Sequence, residues 1–315
     1  MYHRVADPPL DPWGLCVAPD RFRDQLVALK AHRVVISLDE LVDALEAGAV
    51  PPRATALTFD DGYSDNASTA KPLLEELGVP ATMFLTTGSL GKNRPFWWDE
   101  LATLVLAGRR AADFDFEVAG ARLAARWDAQ DSLPRDLKDW RTQAGTDAPR
   151  RVAYAHLWSV LQRLEVAARD RAMARLRERL SGDGSLVEPN GDLPMSAKAA
   201  HSLPSNLIHL GGHGRSHVPL PALPLELRRV EVAGGRADLA EFERGREATG
   251  FAYPHGEWDA ATRQLVIEAG FRWAVAAHEG KVDPGRYDRF ALPRMEVGDW
   301  TGAELLRKAS LLGAA

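Results

Sequence analysis

Residues 57–66 read LTFDDGYSDN and place two acidic residues, Asp60 and Asp61, directly after a short apolar run. Residues 53–59, which include this run, have the composition of a buried β-strand, and residues 65–78 have the periodicity of a helix that ends at a glycine. Asp60 and Asp61 are therefore predicted at the carboxyl end of a strand. Parallel α/β folds, and barrels above all, carry their functional groups on this side.

The same alternation of short apolar and amphipathic segments occurs elsewhere in the chain, which is typical of βα units around a parallel sheet. Residues 37–48 (SLDELVDALEAG) predict a helix, because Ser37 and Glu40 have capping-box spacing and Gly48 ends the last turn. Further strands that run into polar or glycine-containing loops are predicted at 81–88, 206–214, 249–256, 272–280 and 289–295, with a helix at 259–270.

The middle of the chain has a different pattern. Residues 91–194 include FWWDELATLVLAG and a long charged segment, and both have helical rather than strand periodicity. We predict that residues 91–194 form a helical insertion in a loop of the barrel, where they act as a lid over the active face. A separately folded packing module is the alternative. Residues 1–90 and 195–315 are predicted to form the barrel itself.

Composition excludes several classes of partner. The chain has 315 residues, 45% of them hydrophobic, with 39 Lys and Arg against 44 Asp and Glu, a net charge of −5. Without a long basic run, no nucleic-acid partner is expected. The sequence has no apolar stretch of about 18 residues and no basic, then apolar, leader segment, so we expect no membrane insertion and a cytoplasmic location. The single cysteine, Cys16, excludes an intrachain disulfide.

Two acids side by side at a buried strand end would repel each other unless a cation lies near them. A divalent metal beside Asp61 lowers that cost and leaves Asp60 free to act as a base. The segment GGHGRSHVPL offers two more ligands, because His213 and His217 are four residues apart and glycines flank His213. Two histidines and one carboxylate leave coordination positions open, as in a catalytic metal site.

Each of these features also has a simpler interpretation. Paired Asp residues before a glycine are common in turns and helix caps, and an HxxxH pair alone is more often surface or core histidine. The combination favours a site, because both motifs fall at predicted strand ends beside loop glycines.

Five motifs, in their order along the chain, resemble the polysaccharide deacetylase family, the NodB-homology carbohydrate esterases. The resemblance covers residues 1–89 and 203–297 and leaves the middle segment outside the common core. The motifs are MYHRV at 1–5, LTFDDGY at 57–63, HGRSH at 213–217, FAYPHGEWD at 251–259 and ALPRMEV at 291–297.

The resemblance implies a distorted (β/α)7-type barrel and a hydrolase that removes N-acetyl groups from a carbohydrate or glycoconjugate. In this family the first acid of the pair is the catalytic base and the second is a metal ligand. Carried over, Asp60 is the base, and Asp61, His213 and His217 hold a divalent metal, Zn²⁺. The expected reaction is attack of a metal-activated water on the amide carbonyl, assisted near His255 by a backbone N–H that stabilises the oxyanion.

The chain departs from the family pattern in two places. Many relatives read Arg-Pro-Pro-Tyr where this chain has residues 252–255 (AYPH), so the arginine that orients the base is absent. Arg294 is the predicted replacement, because it follows a late strand and carries a fork of donors. The Leu-x-His motif that supplies the general acid also has no counterpart, which leaves His255, His3 and His278 as candidates.

Three residues are expected to contact substrate: Tyr253, His255 and Trp98. A tryptophan face can stack on a sugar ring, although an aromatic residue at the start of an amphipathic helix also packs well against a core. Two other functions stay open. The chain is an amide, imide or formamide hydrolase acting on a non-polymeric substrate, or it is a weakly active sugar-binding protein that retains metal. The presence of Asp60 argues against a pure sugar-binding protein, because binding alone has no need of a base.

Overall fold

The structure is a computed structural model, and it describes residues 1–108, 110–128, 141–142, 148–181, 193–243, 245 and 247–312. The chain divides into two compact units. The first contains Met1–Asp7, Leu15–Lys92 and Pro194–Ala315, and the second contains Pro8–Gly14 and Asn93–Leu193. None of the helices in the described ranges has the length and apolar character that a membrane crossing requires.

The first unit is built on parallel strands. They are β1 (Arg4–Val5), β2 (Cys16–Val17), β3 (Val34–Val35), β4 (Ala54–Thr55), β5 (Leu57–Phe59), β6 (Ala81–Leu85), β9 (Ile208–Gly212), β10 (Gly250–Ala252) and β11 (Trp273–Val275). Five of them form one sheet in the order β11-β10-β9-β6-β5. Two short parallel pairs, β1 with β2 and β3 with β4, accompany this sheet.

Single bridges extend the five-stranded sheet at both edges. Tyr2 pairs in parallel with Phe59 of β5, and Leu292 pairs in parallel with Val275 of β11. The two extensions then meet, because the Val297 N–H donates to the Met1 carbonyl at 3.0 Å. Seven chain segments therefore lie side by side in one row, which confirms the predicted (β/α)7-type barrel. The barrel is distorted because two of its seven positions are single bridges.

Helices pack around this sheet, and their ends follow the signals in the sequence. Ser37 caps α2 with Glu40 in a reciprocal capping box, as predicted, and Gly78 ends α3 in the left-handed conformation. The helices of the first unit are α1 (Pro19–His32), α2 (Leu38–Glu46), α3 (Lys71–Leu77, preceded by a π turn at Asn66–Ala70), α7 (Ala197–Ser202), α8 (Leu225–Leu239), α9 (Ala260–Glu268) and α10 (Gly302–Leu311).

Two predicted strands are shorter in the structure than the sequence indicates. The segment 53–59 is divided, since β4 pairs with β3 whereas β5 joins the central sheet. The segment 289–295 forms only the bridge at Leu292, because Pro293 has no N–H to donate to a ladder.

The second unit contains helices and one antiparallel hairpin. Its helices are α4 (Trp97–Ala102, continued by a π turn at Thr103–Ala107), α5 (Pro149–Leu161) and α6 (Val166–Leu180). Strands β7 (Ala112–Val118) and β8 (Ala121–Trp127) are joined by Ala119 and Gly120, both at positive φ. This hairpin departs from the helical pattern predicted for residues 91–194. Its signals are present in the sequence, because apolar and polar residues alternate in β7 and a glycine lies in the turn. The lid role of residues 91–194 stays a prediction.

A polar network lies inside the amino ends of the barrel strands. The Asp39 carboxylate of α2 accepts hydrogen bonds from Trp273 Nε1 at 2.9 Å, from His209 Nδ1 at 3.0 Å and from the Thr249 hydroxyl. Burial alone would raise the pKa of Asp39, but these hydrogen bonds outweigh it and lower the pKa to about 2. One carboxylate thus joins α2 to the starts of three strand segments that are distant in sequence.

We expect Asp39→Asn to lower the free energy of unfolding at pH 7 by about 1–3 kcal/mol, because buried donors lose their charged acceptor. The folded-state pKa lies below the ordinary value of 3.8, so this stabilisation is present above that pH and disappears as the pH falls toward 2. Urea titrations at several pH values measure it. The matched control is Asp43→Asn on the same helix, where the exposed pair with Arg272 predicts a loss below about 1 kcal/mol. Equal losses for the two variants would contradict the role of the network.

Candidate metal and catalytic site

Polar side chains gather at the carboxyl ends of the barrel strands. Asp60 and Asp61 follow β5, His213 and His217 follow β9, and Arg294 follows the Leu292 bridge. All five are buried, with exposed fractions between 2% and 9%. Buried carboxylates are stable as anions only if positive charge lies close to them. The distances between the acidic and basic side chains therefore decide what the site can do.

Three of these side chains form a group suited to a metal ion. Asp61 Oδ1 lies 3.4 Å from His213 Nε2 and 3.2 Å from His217 Nε2. Their ligand atoms all lie within 4.8 Å of one another. The grouping has the residue types of a two-histidine, one-carboxylate site.

A bound cation explains the arrangement of these residues better than direct hydrogen bonds between Asp61 and the histidines do. His213 Nδ1 donates to the Ala252 carbonyl at 2.8 Å, so a neutral His213 turns the lone pair of Nε2 toward the Asp61 carboxylate. A lone pair and an anion in contact repel each other unless a cation lies beside both. Asp61 Oδ1 is also buried and accepts no hydrogen bond from the described residues. The donor set therefore fits a divalent metal.

The electrostatics of the site favour a cation in the same place. Burial lowers the pKa of His213, but the carboxylates of Asp61 and Asp60 outweigh it and raise that pKa. Burial likewise opposes the charge on Asp61, yet His217 and His213 hold its pKa well below the ordinary value. The site thus attracts positive charge, whether carried by protons or by a metal ion.

A buried glutamate that the sequence analysis missed shapes the loop between the two histidines. Glu231 of α8 accepts hydrogen bonds from the backbone N–H of Arg215 at 2.8 Å and of Ser216 at 2.9 Å, and from the Ser216 hydroxyl. His217 follows directly at φ 51°, a left-handed conformation that is costly for a non-glycine residue. Glu231 thus holds a strained turn that aims His217 at Asp61. The sequence gives no local signal for this contact.

Asp61 and His255 also adopt left-handed backbone conformations, at φ 73° and φ 56°. Together with His217 they are three of the five described non-glycine residues at positive φ. Strain of this kind persists only where the surrounding contacts overdetermine it, and it concentrates at functional sites. The backbone strain is therefore evidence for a functional site that is independent of the sequence motifs.

Arg294 and Asp60 form a bidentate ion pair. Arg294 Nη1 and Nη2 each donate to one Asp60 oxygen at 2.7 Å. The same guanidinium donates through Nε to the Ala276 carbonyl at 3.0 Å and through Nη1 to the Thr58 hydroxyl at 3.2 Å. The contact expected of the residue that replaces the missing family arginine is therefore present, whereas the catalytic roles of Asp60 and Arg294 stay predictions.

The ion pair determines the charge state of Asp60. Burial would raise the pKa of this carboxyl, but the charges of Arg294 and His213 outweigh burial and lower the pKa to about 2. Asp60 is therefore an anion throughout the neutral range. It is also held in one orientation by two parallel hydrogen bonds.

The histidines considered as proton donors lie in different surroundings. The His255 ring is 4.4 Å from the His217 ring, and the pKa of His255 is held well below its ordinary value by burial and by His217. The backbone carbonyl of His3 accepts a hydrogen bond from Asn66 Nδ2 at 2.9 Å. His278 is exposed, and its carbonyl accepts a hydrogen bond from the backbone N–H of Arg294. Which of them donates a proton stays a prediction.

Two residues expected to contact substrate are buried. Tyr253 is 1% exposed and its hydroxyl donates to the Phe290 carbonyl at 3.0 Å, so its polar group is already engaged. Trp98, in the second unit, is 5% exposed and stacks on Phe96 with ring centroids 4.6 Å apart. Both side chains contribute to packing in this structure, and their contact with substrate stays a prediction.

We expect His217→Ala to weaken Zn²⁺ binding at least tenfold, because one of three ligands is removed from a buried site. Titration of the metal-free protein with Zn²⁺ in competition with a chromophoric chelator measures the affinity. The matched control is His201→Ala, since His201 is exposed and its ion-pair partner is Glu241, outside the metal group. The assignment is wrong if both variants retain the affinity of the unaltered protein.

Comparison with known sequences extends these observations. The sequence model of the polysaccharide deacetylase family matches residues 47–112, which include both aspartates. A poly-β-1,6-N-acetyl-D-glucosamine N-deacetylase of Staphylococcus epidermidis is 34% identical over 78 residues, 24% of this chain. The match spans 27% of the length of that relative.

Solved structures share the fold over the whole chain. The deacetylase PplD of Streptococcus pyogenes, solved with acetate, superposes with a TM-score of 0.55 at 16% identity over 98% of this chain and 95% of its own. IcaB of Ammonifex degensii gives 0.55 at 18% identity over 98% and 94%. The chain is thus similar to the polysaccharide deacetylase family at residues 47–112 and shares the fold of solved deacetylases, which confirms the resemblance drawn from its motifs.

Proposed function

We propose that this protein is a metal-dependent hydrolase that removes acetyl groups from an N-acetylated carbohydrate. The observation that carries the proposal is the buried anion of Asp60, oriented by Arg294, beside a group of metal-ligand type. A carboxylate base next to a bound cation can promote hydrolysis of an unactivated amide, since the base takes a proton from water and the cation polarises the carbonyl. The match to the deacetylase family model over the same residues supports the assignment.

Asp61, His213 and His217 would hold the metal ion, which we propose to be Zn²⁺. When bound, a divalent ion of this kind supplies a Lewis acid that polarises a carbonyl and lowers the pKa of water. Second contacts hold the ligands in place: the Ala252 carbonyl fixes the tautomer of His213, and Glu231 fixes the turn before His217.

Asp60 would take the proton from the attacking water as the new bond to the amide carbonyl carbon forms. The C–N bond then breaks, the nitrogen takes up a proton and leaves as a free amine, and the acyl group leaves as acetate. Arg294 prevents Asp60 from turning toward the metal ligands and keeps it ionised, so one carboxylate orientation serves the reaction.

The substrate class follows from the amide and from the named relative. The Staphylococcus epidermidis relative is a deacetylase of poly-β-1,6-N-acetyl-D-glucosamine, and we propose an N-acetylated amino sugar in a glycan or glycoconjugate for this chain. The first screen should therefore compare acetate release from β-1,6-linked and β-1,4-linked N-acetylglucosamine oligomers, with Zn²⁺ and with a chelator. Absence of release from every N-acetylated sugar, with metal bound, would refute the proposal. The cytoplasmic location also stays a prediction.

The two aspartates should respond differently to the same substitution. Asp60→Asn is expected to lower kcat by about 10²–10⁴-fold with the metal retained, because only the base is lost. Asp61→Asn is expected to lower the affinity for Zn²⁺ itself. Acetate release and metal titration on both variants measure these effects, each variant serving as the control for the other. Near-normal turnover by Asp60→Asn would exclude Asp60 as the base.

Arg294→Met should change the pH dependence of the reaction. Without the guanidinium, the largest of the charges that oppose burial is lost and the pKa of Asp60 rises, so the acidic limb of the kcat/KM profile should move to higher pH. We expect kcat to fall as well, since the carboxylate loses its fixed orientation. The matched control is Arg289→Met, which removes an exposed ion pair with Glu46. An unchanged profile in Arg294→Met, with metal content intact, would contradict the role of Arg294.

A further inference from the structure

A cavity of about 550 Å³ lies in the first unit where the barrel row closes, between the Tyr2 segment and the Leu292 segment. Its volume is within the range of about 300–1,000 Å³ that small-molecule sites occupy. The wall is largely aliphatic and includes Leu38, Leu41, Leu45, Val282 and Leu305. No member of the metal group contributes to this lining, although Arg294, the ion-pair partner of Asp60, does.

The inner end and the mouth of the cavity have different chemistry. The buried residues Leu57, Thr58 and Leu292 lie at the inner end, within the barrel. A second, more open depression of about 390 Å³ shares three lining residues with the cavity, which places those three where the cavity meets solvent. The shared residues are Arg33, Arg53 and Lys281.

These three cations have no carboxylate partner among the residues that the structure describes. Arg33 Nη2 donates to the Ser310 hydroxyl at 3.3 Å, and neither Arg53 nor Lys281 takes part in an ion pair there. Among the described residues, no Asp or Glu lines the cavity or the depression. The charge at the mouth is thus positive, although the chain as a whole has a net charge of −5. This local positive charge favours the binding of an anion.

We propose that this cavity binds a single-chain anionic amphiphile, with the hydrocarbon chain between the aliphatic walls and the anionic head group at Arg33, Arg53 and Lys281. The walls exclude a polar ligand, because its buried polar groups would find few partners there. The mouth excludes a cationic head group by repulsion. The head group is a carboxylate, as in a fatty acid, or a phosphate, as in a single-chain phospholipid. This binding is a different activity from the proposed deacetylase reaction, although Arg294 lines the cavity and also pairs with Asp60.

The purified full chain should be titrated by calorimetry with four ligands that share a twelve-carbon chain, each below its micelle concentration: laurate, dodecyl phosphate, dodecanol and dodecyltrimethylammonium. We expect saturable one-to-one binding of an anionic ligand, at least tenfold tighter than that of dodecanol or of the cation. Tighter binding of laurate identifies a carboxylate ligand, and tighter binding of dodecyl phosphate identifies a phosphate ligand. Comparable binding of the cation, or no saturable binding of either anion, would overturn the proposal.

Substitutions locate the binding within the cavity. The double variant Arg53→Glu and Lys281→Glu should weaken binding of the preferred anion at least tenfold. The matched control is Lys92→Glu with Lys198→Glu, which makes the same change of net charge at exposed positions outside both linings and should stay within twofold. Ala309→Phe, which fills part of the cavity, should weaken binding at least fivefold. Cooperative thermal unfolding shows that a variant is folded, and equal affinity in all folded variants would refute the site. The comparison of the four head groups uses the unaltered protein and tests the proposal without any variant.

Discussion

Two carboxylates buried side by side at the end of β5 are the constraint on which the barrel depends. Asp60 and Asp61 can both stay ionised only if positive charge approaches each of them from a different direction. Arg294 approaches Asp60 from the closing edge of the barrel, while the histidines after β9 approach Asp61. Arg294 and the two histidines come from different strand ends. The barrel must therefore bring its strands together before both acids have a partner of opposite charge or a metal-ligand group beside them.

The two ends of the strands use buried carboxylates for different purposes. At the amino ends, both oxygens of Asp39 accept hydrogen bonds, from His209, Thr249 and Trp273, which suits a structural joint. At the carboxyl ends, Asp61 Oδ1 accepts no hydrogen bond from the described residues, and three nearby backbones are strained. A network with all its hydrogen bonds made contributes stability, whereas a buried oxygen without one is suited to a ligand, and the barrel keeps these two kinds of carboxylate at opposite ends.

Much of this organisation could be predicted from sequence because its signals are local. The capping box at Ser37, the acids after a strand and the spacing of His213 and His217 each lie within a few residues. The pairing of Arg294 with Asp60 was predictable only because a family motif lacked its arginine. Glu231 left no such sign, since its contacts with the turn before His217 depend on how α8 packs. The hairpin of the second unit was not predicted, because the segments on both sides of it have helical periodicity and the whole insertion was interpreted as helical.

The bond between Asp60 and Arg294 spans 234 residues of chain, and this separation bears on the synthesis of the protein. The amino acids leave the ribosome in order, so the aspartate emerges long before the arginine that orients it. A nascent chain that has already exposed Asp60, Asp61 and both histidines still has an unoriented carboxylate, and its barrel row is open until Val297 reaches Met1. The ion pair of Asp60, and with it the closed barrel row, can therefore form only after the last part of the chain has been made.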